Sequence, residues 1–492
     1  MNTQIVRLFV FILVLFAGLI YFTSRWAVLE ADELKANSGN NRPLIEEQQI
    51  KRGTITSSDG VLIAESLPQG GGPQRVYVRN YPRGALFGNP VGYSFVEVDR
   101  TGVELAENDL LSGEENEFAT LIDELLNETR EGSDITLTLD AGAQQVALDA
   151  LESALASTPG TVGGGSVVAI EPDTGAVKVM ASVPGFNPND IDDDAIRKEL
   201  SSDDIAAPLV NRPTQSKYQP GSAMKVVTAA AALDSGQFET STVLNADSPK
   251  TISGAPLSNS GNSQFGDIDM TTALTNSVNT YWAQVGEQLG AGTMVEYMER
   301  FGFYADPKLD YPDDRMIASG PTNSDGNLVR EGFDVGRVAI GQGGEEGQLL
   351  ATPLQMAQVA GTVANGGKLM EPTFLQSATD PDGREVEELD PQEQADVMNE
   401  ETAATVTELM VGVANDGTAS ALSTALGQLA GKTGTAEINV EEGTNRPWFI
   451  GFAPAEDPQI AVAAMLEQCT NCFGGEVAGP VAMQVMDALA GG

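Results

Sequence analysis

The stretch YQPGSAMKVVTAAA, residues 218–231, is the part of the chain from which the fold can be read. Pro220 and Gly221 break the preceding segment, and the alanine-rich run after them predicts a helix. Ser222 then lies in the first helical turn, where a free backbone N–H and the positive end of the helix dipole favour an anion. Lys225, three residues on, lies on the same face. Because a lysine can activate a serine hydroxyl, the stretch predicts a serine acyl-transfer site.

A single Ser-x-x-Lys pair arises easily by chance, so the prediction depends on two further elements. Ser277-Val-Asn279 lies between two predicted helical segments, Met270–Thr275 and Thr280–Leu289, which could hold it in place. Two other Ser-x-Asn matches begin at Ser38 and Ser260, but they lie in Gly- and Asn-rich loop sequence. The alternative for Ser277 and Asn279 is that they only form caps and turns between helices.

The third element is Gly431-Lys432-Thr433-Gly434-Thr435-Ala436, which has the pattern of a strand. Lys432 supplies a fixed positive charge, and threonine hydroxyls with strand amides could bind a carboxylate beside it. Gly434 permits the close approach of a ligand backbone. An ordinary strand can contain the same residues. Three elements in this order, each in the expected local context, are nevertheless hard to obtain by chance.

The composition limits the chemistry that this chain can perform. The 492 residues include 27 Lys and Arg against 70 Asp and Glu, a formal net charge of −43, so we expect no nucleic-acid partner. Histidine is absent, which excludes Ser-His-Asp and Cys-His catalytic arrangements and His-ligated metal sites. Cys469 and Cys472 alone cannot complete a structural zinc site, and we expect no metal. In an exported chain we favour a structural disulfide between them over a redox motif.

The N-terminus contains a candidate membrane anchor. The segment from Leu8 to Ser24 is uncharged and almost wholly apolar, and Arg7 and Arg25 bound it. At about 1.5 Å per residue it is just long enough to cross a bilayer. No clear small-x-small cleavage site follows, which favours an uncleaved anchor over a signal peptide. Positive charge before the segment and acidic residues after it predict a cytoplasmic N-terminus and an exported remainder.

The order of the predicted elements indicates the α+β class. A small β-leaning part is followed by a hairpin over residues 166–183 and a largely helical middle. Strands at Gln428–Ile438, Trp448–Ala453 and Ile460–Leu466 and a helix at Pro480–Leu489 end the chain. This order implies an antiparallel sheet covered by helices.

We divide the chain at two positions. Residues 1–26 form the cytoplasmic N-terminus and the anchor. Residues 27–137 form a small β-rich pedestal, and residues 138–492 form the catalytic domain.

With these motifs in place, the chain resembles a class B penicillin-binding protein, a peptidoglycan D,D-transpeptidase, and within that group the short actinobacterial penicillin-binding protein A type. The resemblance covers almost the whole chain. Further matching motifs are Arg52-Gly53-Thr54-Ile55, Tyr81-Pro82-Arg83-Gly84, Asn211-Arg212, Gly341-Gln342-Gly343 and Trp448-Phe449-Ile450-Gly451. The Cys469–Cys472 pair and the strong acidity depart from the family pattern, but neither touches the catalytic motifs.

The resemblance implies a penicillin-binding/serine β-lactamase-like transpeptidase fold and a role for each motif residue. Ser222 would attack the penultimate D-Ala carbonyl of a peptidoglycan stem peptide, and Lys225 would accept its proton. Ser277 would relay a proton to the leaving amine, and Asn279 would hold a substrate amide. The substrate carboxylate would be bound by the strand residues Lys432, Thr433, Gly434 and Thr435.

The resemblance also implies partners and leaves alternatives open. We expect stem peptides and β-lactam antibiotics as ligands, the plasma membrane as the anchor's environment, and a membrane glycosyltransferase as a partner. No metal or organic cofactor is needed. A serine β-lactamase would use the same Ser222 and Lys225, and a mainly structural role in the elongation or division complex is a further alternative. Since Lys225 acts as a base only when neutral, burial and the charge of Lys432 must lower its pKa.

Overall fold

The computed structural model describes residues 2–25, 42–71, 75–114, 130–202, 206–344, 347–439 and 441–491. The strands in chain order are β1 (Ile55–Thr56), β2 (Leu62–Gln69), β3 (Val76–Asn80), β4 (Ser94–Phe95), β5 (Asp99–Arg100), β6 (Asp134–Leu137), β7 (Gly165–Ile170), β8 (Val177–Val183), β9 (Leu244–Asn245), β10 (Lys250–Ile252), β11 (Ala255–Leu257), β12 (Asp267–Ile268), β13 (Gly320–Thr322), β14 (Gly343–Gly344), β15 (Gly347–Leu350), β16 (Lys368–Met370), β17 (Leu375–Thr379), β18 (Glu385–Glu388), β19 (Glu393–Asp396), β20 (Ala430–Asn439), β21 (Thr444–Ala453), β22 (Ile460–Leu466) and β23 (Cys469–Thr470).

The helices in chain order are α1 (Asn2–Ser24), α2 (Arg42–Gln48), α3 (Gly88–Val91), α4 (Val103–Ala106), α5 (Asn108–Ser112), α6 (Ala141–Ser157), α7 (Asp194–Ser202), α8 (Arg212–Gln215), α9 (Lys225–Asp234), α10 (Met270–Thr275), α11 (Asn279–Arg300), α12 (Val335–Val338), α13 (Pro353–Ala364), α14 (Glu400–Asp416) and α15 (Ala478–Leu489).

An antiparallel sheet in the order β20-β21-β22-β7-β8 forms the centre of the catalytic part, and β23 pairs with β21. Every residue of β7 and β22 is buried, because helices cover both faces. Helices α6 and α15 pack together against this sheet, and α13 packs against β7, β21 and β22. The predicted α+β class and the antiparallel sheet covered by helices are confirmed.

Local signals place the helices that cover this sheet. The Asp140 side chain accepts a hydrogen bond from the Ala143 N–H (2.7 Å), so it is the N-cap of α6. Helix α13 begins with Thr352 as its N-cap and Pro353 at its first position. Both caps satisfy backbone N–H groups that the helix itself cannot use.

The N-terminal region has a second, mixed sheet in the order β18-β17-β6-β1-β2-β3. Strands β1 and β6 are parallel, and the other pairs are antiparallel. Strands β17 and β18 come from within residues 138–492, so part of the later region completes the sheet of the earlier one. The partly buried Asp310 carboxylate accepts hydrogen bonds from the Phe374 and Leu375 N–H groups, which holds the start of β17 in place.

Helix α1 is long and apolar enough to cross a membrane, and it is the one such helix among the described residues. Its large apolar side chains are exposed rather than packed on the rest of the chain. This agrees with the anchor predicted from the sequence. Residues 26–41, the start of the predicted pedestal, lie outside the described residues.

A buried carboxylate connects two of the N-terminal sequence motifs of the pedestal, those of Arg52 and Tyr81. Glu104 is fully buried and pairs with Arg79 (2.5 Å) and Arg52 (3.0 Å), and the Tyr81 hydroxyl donates to it (3.1 Å). Burial alone would raise the pKa of Glu104, but the two guanidinium groups outweigh burial and hold this pKa below its usual value. The motif residues therefore form one ion-pair network.

Glu104→Gln should destabilise the N-terminal region by about 3–5 kcal/mol, because it leaves two buried guanidinium groups without a counter-charge. The measurement is urea unfolding of the full chain in detergent micelles. Glu152→Gln, on the exposed face of α6, is the matched control and should lie within about 0.5 kcal/mol of wild type. Equal stability of both variants would contradict a structural role for the network.

Candidate active site

Ser222 lies in a 3₁₀ turn, Gly221–Met224, that leads directly into α9. The sequence prediction of a helix here is confirmed, with the first turn tighter than an α-helical one. Gly221 has φ +54°, and a Cβ there would lie 2.8 Å from the Ala436 backbone nitrogen in β20. Glycine therefore allows the serine turn to touch the strand.

Lys225 is fully buried directly behind the serine. Its Nζ lies 2.9 Å from Ser222 Oγ, 2.7 Å from the Ser277 carbonyl oxygen and 2.8 Å from Asn279 Oδ1. Burial, and secondarily the charge of Lys432, lower the pKa of Lys225 well below its ordinary value. Both causes were expected from the sequence. The amine is therefore poised to be neutral next to the serine hydroxyl.

Ser277 and Asn279 lie in the connection between α10 and α11, where the sequence placed them. Ser277 has φ +55°, an uncommon conformation for a residue with a Cβ. Asn279 is the first residue of α11, which is interrupted at Gly290 (φ +77°), one residue beyond the helix end expected at Leu289. Of the other two Ser-x-Asn matches, Ser260 begins an exposed turn, and Ser38 lies outside the described residues.

Lys432 reaches the same cluster from β20. Its Nζ donates to Ser277 Oγ (2.8 Å) and to the Thr433 carbonyl oxygen (2.8 Å). Burial lowers the pKa of Lys432 to about 7. Its charge is therefore not fixed near neutral pH, in contrast to the sequence expectation, and a bound carboxylate would restore it. Ser277 Oγ also lies 3.3 Å from Lys225 Nζ, so one hydroxyl connects the two amines.

The sequence predicted that Gly434 permits the close approach of a ligand backbone. In the structure, the backbone that approaches Gly434 belongs to this chain. A Cβ on Gly434 would lie 2.6 Å from the Pro220 carbonyl oxygen and 2.8 Å from Trp448 Cβ. On the same strand, the Thr433 and Thr418 hydroxyls lie 2.5 Å apart, and Thr435 Oγ1 accepts from the Gly474 N–H (3.3 Å). Glycine at position 434 thus keeps the strand against the serine turn.

Sequence reasoning missed Thr418 and Gly474 as neighbours of the strand. Gly474 belongs to the loop that follows Cys469 and Cys472, and these cysteines form the disulfide that the sequence favoured. The loop packs so closely that a Cβ on Gly474 would meet the Gly434 carbonyl oxygen at 2.4 Å. The Gly-Gly pair after the second cysteine was a signal of close packing, whereas Thr418 had none.

The arrangement is suited to acyl transfer. A serine hydroxyl contacts an amine whose pKa burial lowers, and a second serine connects this amine to another. Within the described ranges no carboxylate hydrogen-bonds to either lysine, so no opposite charge in direct contact offsets the effect of burial on their pKa values. Fold and site together define a serine acyltransferase of the penicillin-recognising class.

Comparison with known proteins agrees with this class. Residues 165–487 match the penicillin binding protein transpeptidase domain, and residues 52–135 match the penicillin binding protein A dimerisation domain. The peptidoglycan D,D-transpeptidase PbpA of Mycolicibacterium smegmatis is 32% identical over 98% of this chain and 97% of its own length.

Solved structures give the same result. Penicillin-binding protein A from M. tuberculosis, as an imipenem acyl-enzyme complex, is similar with a TM-score of 0.78 and 28% identity, over 91% of this chain and 100% of that one. The D,D-transpeptidase domain of a peptidoglycan glycosyltransferase from Eggerthella lenta has a TM-score of 0.75 and 31% identity, over 90% and 99%. The chain belongs to the penicillin-binding protein family with a transpeptidase domain, which confirms the resemblance seen in the sequence.

Gly434→Ala should lower the second-order rate of acylation by a fluorescent penicillin by about 100-fold or more, because the methyl group would displace the serine turn from the strand. The rate is measured by gel fluorescence on the full chain in detergent. Gly292→Ala is the control, since a Cβ there meets no atom within 4 Å, and it should acylate at the wild-type rate. Wild-type acylation by Gly434→Ala would show that the contact does not position Ser222.

Proposed function

We propose that this protein is a peptidoglycan D,D-transpeptidase that cross-links stem peptides through an acyl-enzyme on Ser222, and that β-lactams acylate the same serine. The observation that carries the proposal is the fully buried Lys225, with its Nζ 2.9 Å from Ser222 Oγ. The similarity to relatives with this activity over nearly the whole chain supports it.

The hydrogen bonds of Lys225 assign the proton positions. A neutral amine has two hydrogens and one lone pair. The Ser277 carbonyl and Asn279 Oδ1 can only accept, so they take the two hydrogens. The lone pair is then directed to Ser222, whose hydroxyl donates to it. Lys225 is therefore the general base, and Asn279 positions it.

Acylation follows from this arrangement. Ser222 Oγ attacks the carbonyl carbon of the penultimate D-Ala as its proton passes to Lys225 Nζ. The backbone N–H groups of Ser222 and Thr435 form the oxyanion hole, and each such donor contributes about 3–4 kcal/mol in comparable sites. The proton then travels through Ser277 Oγ to the leaving amine, and D-Ala departs as the C–N bond breaks.

The second half-reaction reverses these proton movements. An amine of a neighbouring stem peptide attacks the ester carbonyl and gives up a proton. The Ser222 C–O bond breaks, and the proton returns to Ser222 Oγ. Neither half-reaction needs a metal or an organic cofactor.

Substrate binding uses the other face of the cluster. Lys432 and the hydroxyls of Thr433 and Thr435 bind the terminal carboxylate. Asn279 Nδ2, which donates to the Ser258 carbonyl oxygen, has a second hydrogen for a substrate amide. Binding of the anion raises the pKa of Lys432 from about 7, so substrate itself completes the charged site.

We place the protein at the plasma membrane as a single-pass protein with a cytoplasmic N-terminus, based on Arg7 before the apolar helix and the acidic residues after it. The catalytic domain is then extracytoplasmic, where a disulfide persists. The pedestal raises the site from the membrane and offers a surface for a membrane glycosyltransferase.

Full-length protein treated with a fluorescent penicillin should carry one adduct on Ser222 that persists for hours, because a transpeptidase does not activate water for deacylation. Intact-mass spectrometry with peptide mapping measures the site and the lifetime. Ser222→Ala should carry no adduct. Turnover within milliseconds would identify a serine β-lactamase instead, and rescue of cell shape by Ser222→Ala would identify a structural role.

Lys225→Arg should abolish acylation although it keeps a basic group of similar length, because a guanidinium does not give up its proton near neutral pH and cannot act as the base. In the wild type, acylation should rise with pH as Lys225 becomes neutral. It should fall again as Lys432 loses the proton needed to bind a carboxylate. The measurement is the second-order acylation rate from pH 5 to pH 10.

Lys432→Arg is the matched comparison for this experiment. It keeps a positive charge at every pH tested, so it should retain part of the acylation rate and lose the falling limb. If Lys225→Arg acylates at nearly the wild-type rate, Lys225 is not the base and the mechanism is wrong.

A further inference from the structure

A cavity lies beside the segment that leads to the nucleophile Ser222. Its volume is about 510 Å³, within the range of small-molecule sites. The lining includes Arg212, Lys217, Tyr218, Arg446, Glu467 and Gln468. None of the serine and lysine side chains of the catalytic cluster lines it, so this cavity is separate from the acylation site.

Glu467, the one carboxylate among the described lining residues, is fully engaged. Glu467 Oε1 accepts from Arg212 Nε (2.8 Å) and from the Tyr218 hydroxyl (2.5 Å), and its Oε2 accepts from the Gly164 N–H (2.9 Å). Arg212 is almost fully buried, and Glu467 balances its charge. The pair is therefore neutral as a unit.

Two further cations in the lining form no ion pair with a described residue, although the charge of Glu467 also acts on Arg446. Lys217 is half-buried, and within the described ranges no acidic group lies at ion-pair distance from it. The Arg446 guanidinium lies 5.0 Å from the centre of the Tyr218 ring, and its Nε donates to the Glu467 carbonyl oxygen (2.8 Å). Among the described residues, the two terminal nitrogens of the Arg446 guanidinium have no hydrogen-bond partner. Burial lowers the pKa of both groups, because it disfavours their charged forms.

Such a cavity is unusual in a chain with a net charge of −43. Acidic residues outnumber basic ones by more than two to one, yet the described lining of this cavity has three basic side chains and one acidic one. The charge of the distant surface is screened beyond about 10 Å at ordinary ionic strength, so the local groups decide what binds. They favour an anion.

We propose that this cavity binds a carboxylate-bearing peptide segment. The planar Arg446 fork fits a carboxylate, and Lys217 adds a point charge. The neighbouring amide side chains of Gln215 and Gln468 can hydrogen-bond to peptide groups, and a peptide fits the volume better than a small inorganic ion does. The site goes beyond the acyl-transfer function, because it does not use the catalytic cluster.

An occupant of the cavity would contact the segment that carries the nucleophile. The Tyr218 backbone pairs with Ala351, and the next residue, Gln219, accepts a hydrogen bond from Trp448 Nε1 (2.9 Å). Three residues further on is Ser222. The site therefore offers a place where a second stretch of substrate or product is held next to the reacting one.

The test uses the full chain in detergent after its serine has been blocked with benzylpenicillin, with the blocked fraction confirmed by intact mass. Equilibrium dialysis then measures retention of radiolabelled N-acetyl-D-alanyl-D-alanine, of its C-terminal amide and of inorganic phosphate. We expect the acid to be retained and to bind about tenfold more tightly than the amide. Lys217→Gln and Arg446→Gln should each weaken binding of the acid by about tenfold.

Lys198→Gln, an exposed lysine on α7, is the matched control and should leave binding unchanged. Arg446→Lys keeps a charge but loses the planar guanidinium, so it should still weaken binding of the acid. The acylation rate of each variant before blocking shows that it is folded. Equal retention of acid and amide, no loss in the two Gln variants, or retention of phosphate without the peptide would overturn the proposal. If no serine adduct forms, the acyl-transfer proposal fails, and the same dialysis on untreated protein still tests the cavity.

Discussion

Burial of two lysine amines, with no carboxylate partner among the described residues, is the constraint on which the rest of the site depends. A buried ammonium is costly, so each amine favours its neutral form and requires hydrogen bonds to oxygen atoms that carry no charge. Lys225 obtains these from Ser222, Ser277 and Asn279, and Lys432 obtains them from Ser277 and the strand backbone. Ser277 contributes to both, which explains why one residue in an unusual backbone conformation holds the two halves of the site together.

Close backbone packing maintains this cluster. The serine turn, the edge strand β20 and the loop after the disulfide approach one another at Gly221, Gly434 and Gly474, and a Cβ at any of the three would clash with backbone atoms. Protein interiors accommodate such clashes poorly, because they are close-packed. The glycines therefore act together. They bring the hydroxyls of Thr433 and Thr435 and the nucleophile to the same cleft without any flexible side chain between them.

The pedestal and the catalytic part are joined through shared secondary structure. Strands β17 and β18 leave the catalytic part and complete the mixed sheet, and Asp310 fixes where β17 begins. The ion-pair network around Glu104 stabilises the other end of the pedestal.

The sequence by itself determined the class, the family and the local elements that carry the motifs. Serine three residues before lysine, helices framing Ser277 and a strand through Lys432 are short-range patterns, and helix and strand periodicity reveals such patterns directly. The absence of histidine, read from composition alone, excluded an imidazole base, and the Ser222–Lys225 spacing then made Lys225 the predicted base. Only the tertiary structure decided three features. They are the place of β17 in the pedestal sheet, the contact of Thr418 with Thr433, and the position of Lys217 and Arg446 in one cavity. Each joins residues far apart in the chain, and whether a charge is paired or buried depends on neighbours that no local pattern specifies.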